Sequence, residues 1–404
     1  MPFKITEIDY LHLEISNNCN AICPACPRYL KNSPYVKPGL KLNSWTIDDF
    51  KRYLPKEIFT SVSKINFCGN HGDPLACKDF VKIIQYLDEI GYVGRIEVHT
   101  NGGLKNESYW KQVGEVFSKH DNWKVIFSID GLEDTNHLYR RNVKWDTVIR
   151  NAKAYNSITG AVSTWEYLIF KHNEHQIKEA SKLSIKMGFR YFIPKKTLNL
   201  DNGEHWVTIP AINKEGKTDY HLYPPIEREN KNGFIVSDKI KKLNQEFNPA
   251  HLKNEKKLRE GDLIYKGRST WEEYDKPINP KCKTKHENTE YSSLYIDANG
   301  FVSPCCWIDI HTPVMLHMDY DKSTPNLAMF QLYDKYEKIG GIDKLNLNKN
   351  DLQKILYLIE ELFENSWSSN PSCGKTIWCT QFCGPEVSID QLYTHKGKMR
   401  NVKA

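Results

Sequence analysis

The sequence predicts an α/β protein: a partial (β/α)6 TIM-like barrel followed by a small cysteine-rich α+β domain. Three observations predict it. Short apolar runs alternate with amphipathic helical stretches from about residue 10 to 193, polar Gly-containing loops recur after the strands, and the cysteines gather near the two ends of the chain. Strands alternating with helices imply a parallel sheet with right-handed crossovers. The roughly 190 residues of this rhythm are few for a closed eight-fold barrel, so a partial one fits better.

The elements follow in order. Residues 11–15 read as a strand running into a cysteine loop, and 46–58 as a helix with Thr46 or Ser44 as N-cap. A second strand covers 63–67. Residues 79–90 form a helix, because Phe80, Ile83, Ile84 and Leu87 share one face and Gly91 stops it. Strand 95–99, helix 107–118, strand 124–129, helix 146–155, strand 163–170, helix 175–187 and strand 189–193 complete the barrel. The expected divisions are a barrel over 1–200, a polar connector and partial lid over 201–280, and a cysteine domain over 281–404. In the last of these, Leu294, Ile296 and Val302 flank the turn Asp297-Ala298-Asn299-Gly300 as a hairpin, and a helix is expected over 349–364.

Composition narrows the function classes. With 40% hydrophobic and 26% charged residues the chain is ordinary for a soluble globular protein. No run of 18 apolar residues exists, so no transmembrane span is expected. The opening Met1-Pro2-Phe3-Lys4-Ile5-Thr6-Glu7 lacks an apolar signal region, and a cytoplasmic location is expected. The formal charge of +6 demands no nucleic-acid partner, and its excess sits in a Lys-rich stretch over 239–259 that reads as a solvated helix face.

Eleven cysteines without a secretion signal point to metal ligands or catalytic groups rather than disulfides. Cys19, Cys23 and Cys26 share one loop after the first strand, and Cys282, Cys305, Cys306, Cys373, Cys379 and Cys383 occupy the last third. The x3 and x2 spacings let three thiolates converge on a cuboidal cluster while one iron keeps no protein ligand. A structural zinc site, with His12 or His71 as fourth ligand, is the alternative. Cys68 and Cys77 lie between the groups and read as packing residues, as Cys306 does. The cysteine loop, Gly69-Asn70-His71-Gly72-Asp73-Pro74, Thr100-Asn101-Gly102-Gly103 and Ser128-Ile129-Asp130-Gly131 all follow strand C-termini, the ligand-binding edge of parallel α/β folds.

Ser16-Asn17-Asn18-Cys19-Asn20-Ala21-Ile22-Cys23-Pro24-Ala25-Cys26-Pro27-Arg28 resembles the signature loop of the radical S-adenosylmethionine (SAM) superfamily. The resemblance implies a [4Fe–4S] cluster on Cys19, Cys23 and Cys26 that cleaves SAM reductively to a 5′-deoxyadenosyl radical. It implies a SAM amino-group site at Gly72, Asp73 and Pro74, where His71-Gly72-Asp73-Pro74 stands for the family's Gly-Gly-Glu-Pro. Asn101 lies in the third loop of that site, Ser128 and Asp130 match the motif facing the SAM ribose, and Arg140 matches the partner of the SAM carboxylate. Gly300-x4-Cys305 and Cys373-x5-Cys379-x3-Cys383, with Cys282 before them, resemble SPASM and twitch domains. Asn370 stands where that pattern has a further cysteine, which implies one auxiliary [4Fe–4S] cluster rather than two, held by four of Cys282, Cys305, Cys373, Cys379 and Cys383. The implied enzyme oxidises or modifies a C–H position, with a peptide or protein favoured as substrate and a small molecule or nucleotide as the alternative. A flavodoxin- or ferredoxin-type protein is the expected electron donor. From another class altogether, a zinc-stabilised binding protein without catalysis fits the cysteines alone.

Overall fold

A computed structural model of the chain describes residues 4–30, 33–196, 208–225, 293–304, 306 and 336–363. Six strands lie parallel in chain order: β1 (Tyr10–Leu13), β2 (Lys64–Phe67), β3 (Arg95–Thr100), β4 (Trp123–Ser128), β5 (Val162–Ile169) and β6 (Tyr191–Lys196). The connections carry α1 (Ile47–Tyr53), α2 (Phe80–Glu89), α3 (Glu107–Phe117), a single turn α4 (Asn136–Tyr139), α5 (Trp145–Asn156) and α6 (Ile177–Lys186). This is the predicted partial barrel.

Local chemistry sets the helix ends. Thr46 begins α1 with a capping box, its hydroxyl accepting from the Asp49 amide at 3.1 Å while Asp49 accepts from the Thr46 amide at 3.0 Å. The helix expected to reach residue 58 stops at Tyr53, because Pro55 has no amide to continue the ladder, and a 3-10 turn at Lys56–Thr60 follows. In α2 the four predicted apolar residues are all fully buried, and Gly91 takes φ +71° just beyond its end.

The strands alternate because the barrel has two unlike faces. Leu11, Leu13, Ile65, Phe67, Ile96, Val98, Val125 and Phe127 alternate with buried or half-buried His12, Glu14, Lys64, Asn66, Glu97 and Lys124. Glu97 pairs with Lys64 at 2.5 Å and with Lys124 at 3.2 Å, and Glu166 pairs with Lys195 at 2.6 Å. These pairs form a polar ladder across β2, β3 and β4, and between β5 and β6.

Burial draws the Lys64 ammonium from its ordinary 10.5 down to about 8, against the attraction of Glu97. The folded chain therefore releases this proton near pH 8 while the unfolded chain holds it to about 10.5. The unfolded chain binds more protons in that window, so stability rises with pH across it. Urea unfolding should show Lys64 adding on the order of 2 kcal/mol between about pH 7 and about pH 10. The Lys64→Met variant should lose that increment, and an equal rise in both proteins would refute the assignment.

Two findings lie outside the expected barrel. β9 (Ser293–Ile296) and β10 (Val302–Ser303) form the predicted hairpin, yet β9 adds parallel to β1 and so extends the barrel's own sheet. Its turn is held by Asp297, which accepts from the Asn299 and Phe301 amides at 2.9 and 2.8 Å, and by Gly300 at φ +83°. The Ala298 carbonyl accepts from the Trp45 indole at 3.1 Å, locking that turn beside α1. Within the segment expected to be connector and lid, β7 (Ile209–Ile212) and β8 (Thr218–Leu222) form an antiparallel hairpin that the sequence reading did not foresee. The expected C-terminal helix is α7 (Leu352–Phe363), whose Ile355, Leu356 and Ile359 are fully buried. No helix among the described residues is long and apolar enough to cross a membrane.

Candidate active site

The cysteine loop leaves β1 and is fixed before it reaches the first thiol. The Trp45 amide donates to the Ile15 carbonyl at 2.8 Å, the hydroxyls of Ser16 and Ser44 meet at 2.6 Å, and Asn17 exchanges bonds with Lys41 and Asn43. Turns then gather the cysteines: the Cys26 amide donates to the Cys23 carbonyl at 3.0 Å and the Tyr29 amide to the Cys26 carbonyl at 3.2 Å. From the far side, the Ile22 amide donates to the Arg141 carbonyl at 2.9 Å and the Asn142 side chain to the Asn20 carbonyl at 2.7 Å. Cys23 is buried, and Cys19 and Cys26 are half-buried.

Burial pushes all three thiols up, Cys26 to about 12, and repulsion from Cys23 adds to the rise at Cys26. Bare, they hold their protons at neutral pH. A multivalent metal centre would supply the positive charge that turns such thiols into thiolates. Among the described residues no three His, Cys, Asp or Glu side chains close on a single ion. Ligands of three different irons need not converge so tightly, and the donor set of three thiols on one loop fits a cuboidal cluster. The histidines considered for a zinc site are committed elsewhere. His12 Nε2 sits 2.5 Å from the Cys68 carbonyl, and His71 Nδ1 lies 3.7 Å from Glu14.

The loop after β2 is built around two buried carboxylates. Glu14 Oε1 accepts from the His71 and Gly72 amides at 2.6 and 2.9 Å, while its Oε2 accepts from the Tyr295 hydroxyl at 2.5 Å. Gly72 is obligatory for space: a Cβ there would stand 2.0 Å from the Ser16 carbonyl oxygen. Asp73 accepts from the Leu75 amide at 3.0 Å, the Thr100 hydroxyl at 3.0 Å and the Asn101 amide and side chain at 2.9 Å. Pro74 begins a 3-10 turn over Pro74–Ala76. Asn101 reaches on to Asn20 at 2.8 Å and to Cys19 Sγ at 3.7 Å, so the first three loops meet at the first cysteine.

Glu14 takes part in the site although the sequence reading passed over it. Glu14→Gln keeps the length but can turn only one carbonyl oxygen toward three donors, leaving at least one buried donor unpaired. That should cost about 2 kcal/mol in thermal or urea unfolding. Tyr295→Phe should cost about 1 kcal/mol, because it leaves the two loop amides paired. Equal losses in the two variants would contradict this division of labour.

The fourth loop carries an ion pair. Asp130 is fully buried, accepts from Arg140 Nε at 2.6 Å and from the Leu168 amide at 2.7 Å, and its own amide donates to Asn136 at 2.9 Å. Arg140 NH1 lies 3.9 Å from Cys23 Sγ. Against the burial that favours its neutral form, Asp130 holds the Arg140 guanidinium well above its ordinary value. Ser128 ends β4 half-buried, opposite Glu166 of β5.

The structure thus brings Cys19, Cys23, Cys26, Gly72, Asp73, Pro74, Asn101, Asp130 and Arg140 to one edge of the sheet, with Ser128 at the strand end beside them. Cys282, Cys305, Cys373, Cys379 and Cys383 lie outside the described residues. Cys77 is buried, its thiol donating to the Trp45 carbonyl at 3.2 Å, and half-buried Cys68 closes β2. Cys306 is half-buried rather than buried, and its carbonyl accepts from the Asn70 side chain at 2.9 Å. Besides Glu14, the sequence reading named no role for Arg28 or Tyr295. A lone acid between Leu13 and Ile15 was the available signal for Glu14, and Tyr295 gave none.

No protein-family model and no curated protein matches the chain. Solved structures do. SuiB of Streptococcus suis bound to S-adenosylmethionine aligns with a TM-score of 0.50 at 16% identity, covering 93% of this chain and 72% of that one. SuiB bound to its precursor peptide SuiA gives 0.45 at 16% identity, covering 90% and 75%. The protein anSMEcpe with bound AdoMet and the Cp18Cys peptide gives 0.42 at 15% identity, covering 97% and 95%. Parallel strands in chain order, the flanking helices and the alignment with SuiB together give this chain the fold of the radical SAM enzymes.

Proposed function

We propose that this chain is a radical SAM enzyme that modifies a C–H position of its substrate. The observation that carries the proposal is the gathering of three buried or half-buried thiols on one loop at the ligand-binding edge of a parallel barrel, against three further loops. Cys19, Cys23 and Cys26 would hold the cluster. When bound, it supplies an iron without a protein ligand, which chelates SAM, and the electron that splits SAM into methionine and a 5′-deoxyadenosyl radical.

The chain's own residues have distinct tasks in this reading. Glu14 takes up the His71 and Gly72 amides, so the loop's remaining carbonyls are the groups that meet an amino group. Asp73 spends its carboxylate on Leu75, Thr100 and Asn101, and so sets the loops rather than the ligand. Arg140 offers its guanidinium to the SAM carboxylate, with Asp130 orienting it. Ser128, half-buried at the end of β4, is the residue assigned to face the SAM ribose.

The finer parts rest on the sequence. A peptide or protein substrate is favoured by the resemblance of the C-terminal cysteines to SPASM and twitch domains, and SuiB is a protein seen with a precursor peptide. One auxiliary cluster on four of Cys282, Cys305, Cys373, Cys379 and Cys383, the division at residues 200 and 280, and a flavodoxin- or ferredoxin-type donor belong to the same proposal. Anaerobically purified protein should be brown and hold about eight irons per chain, or about four without the auxiliary cluster. Reduced and given SAM, it should release 5′-deoxyadenosine. A colourless protein with stoichiometric zinc would refute the proposal.

A further inference from the structure

Arg28 is a buried cation for which no described residue supplies a carboxylate. It is 4% exposed, its NH1 donates to the backbone carbonyls of Asn17 and of His71 (3.0 Å to the latter), and its Nε has no partner. Tyr29, whose ring centroid is 5.9 Å from Cζ, offers a neutral face. Arg140, the other guanidinium of the site, is neutralised by Asp130 at 2.6 Å. A guanidinium kept from water without a counter-charge is costly, and removing the partner of a buried pair costs several kcal/mol for that reason. The two carbonyls take up NH1 but satisfy neither Nε nor the charge. We infer that Arg28 is the resident counter-charge of the proposed cluster and favours the cluster's reduced state.

The chemistry is simple. Three thiolates leave the oxidised cluster net negative, and one electron from an external low-potential donor adds a further negative charge. A fixed cation two residues from Cys26 stabilises the reduced form more than the oxidised one, which raises the potential. By bridging Asn17 and His71 the same side chain also ties the cysteine loop to the loop after β2.

The inference rests on the cluster proposed above, and the test separates the two. Full-length protein and its Arg28→Gln and Arg28→Lys variants are reconstituted anaerobically, counted for iron, and titrated with dithionite. The paramagnetic signal followed is the one that changes on adding SAM. Arg28→Gln should lower the reduced-to-oxidised ratio at fixed potential about tenfold, a midpoint about 59 mV lower for a one-electron couple. Arg28→Lys should stay within about threefold of the parent. A wild-type midpoint in a fully loaded Arg28→Gln protein would overturn the inference. If Arg28→Gln fails to hold iron, wild-type loading of Arg28→Lys supports the charge and its failure overturns it. An iron-free parent would remove the cluster reading itself.

Discussion

Cys23→Ala should retain its fold, lose the iron of the proposed SAM-binding cluster, and release no detectable 5′-deoxyadenosine. Two remaining thiolates cannot hold a cuboidal cluster with one open iron, and even residues one shell out from a metal cost about 10- to 100-fold when removed. The cost to the fold is small by comparison. Cys23 is 7% exposed and, among the described residues, its Sγ has one hydrogen-bonding neighbour, Arg140 NH1 at 3.9 Å, so truncation should cost about 1 kcal/mol. Cys77→Ala is the matching control. It empties a fully buried site and breaks the bond to Trp45, at about 1–2 kcal/mol, yet should keep its iron and its SAM cleavage. Iron and sulfide content, visible absorbance and chromatography of the nucleoside read all of this out. Undiminished 5′-deoxyadenosine from Cys23→Ala would end the assignment of this thiol as a ligand.

How much of this could be read beforehand depended on whether the deciding contact was local. The face formed by Phe80, Ile83, Ile84 and Leu87 with Gly91 beyond it is a local pattern, and α2 appears where the pattern places it. α1 ended early because a single proline outweighs an amphipathic pattern that runs through it. The hairpin β9–β10 was legible from its turn, but its pairing with β1 was not, since Tyr10 and Ser293 are joined only by the folded sheet. β7 and β8 gave little signal: Pro210 and the polar Thr218, Asp219 and His221 read as loop, and the pairing is local but weakly patterned. At the site, the cysteine spacing was local enough to put Cys19, Cys23 and Cys26 on one loop, where the structure has them. The tie from Glu14 to Gly72 and to Tyr295 spans up to 281 positions of sequence, and no spacing rule reaches that far. Arg28 shows the converse: it reads as an ordinary end to a cysteine motif, and only its burial with no carboxylate among the described residues marks it out.

Asp130→Asn should lower stability by about 3–5 kcal/mol and weaken SAM binding more than tenfold. The carboxylate is fully buried and each oxygen has a fixed donor, Arg140 Nε at 2.6 Å and the Leu168 amide at 2.7 Å. An amide of the same shape must turn its NH2 toward one of those donors, and it leaves the guanidinium buried beside Cys23 without its carboxylate partner. Arg140→Gln alone should be costly for the opposite reason, as it leaves Asp130 charged and unpaired. Removing both ends the conflict, so the double variant should be less destabilised than the sum of the singles, with a coupling of about 2–3 kcal/mol. Urea midpoints of the four proteins measure that coupling, and SAM titration separates its two consequences. The double variant should recover stability without recovering SAM binding, because a neutral pair satisfies the interior but offers no cation to a carboxylate. Recovery of both would show that Arg140 serves the fold alone, and recovery of neither would show that the pair is not coupled.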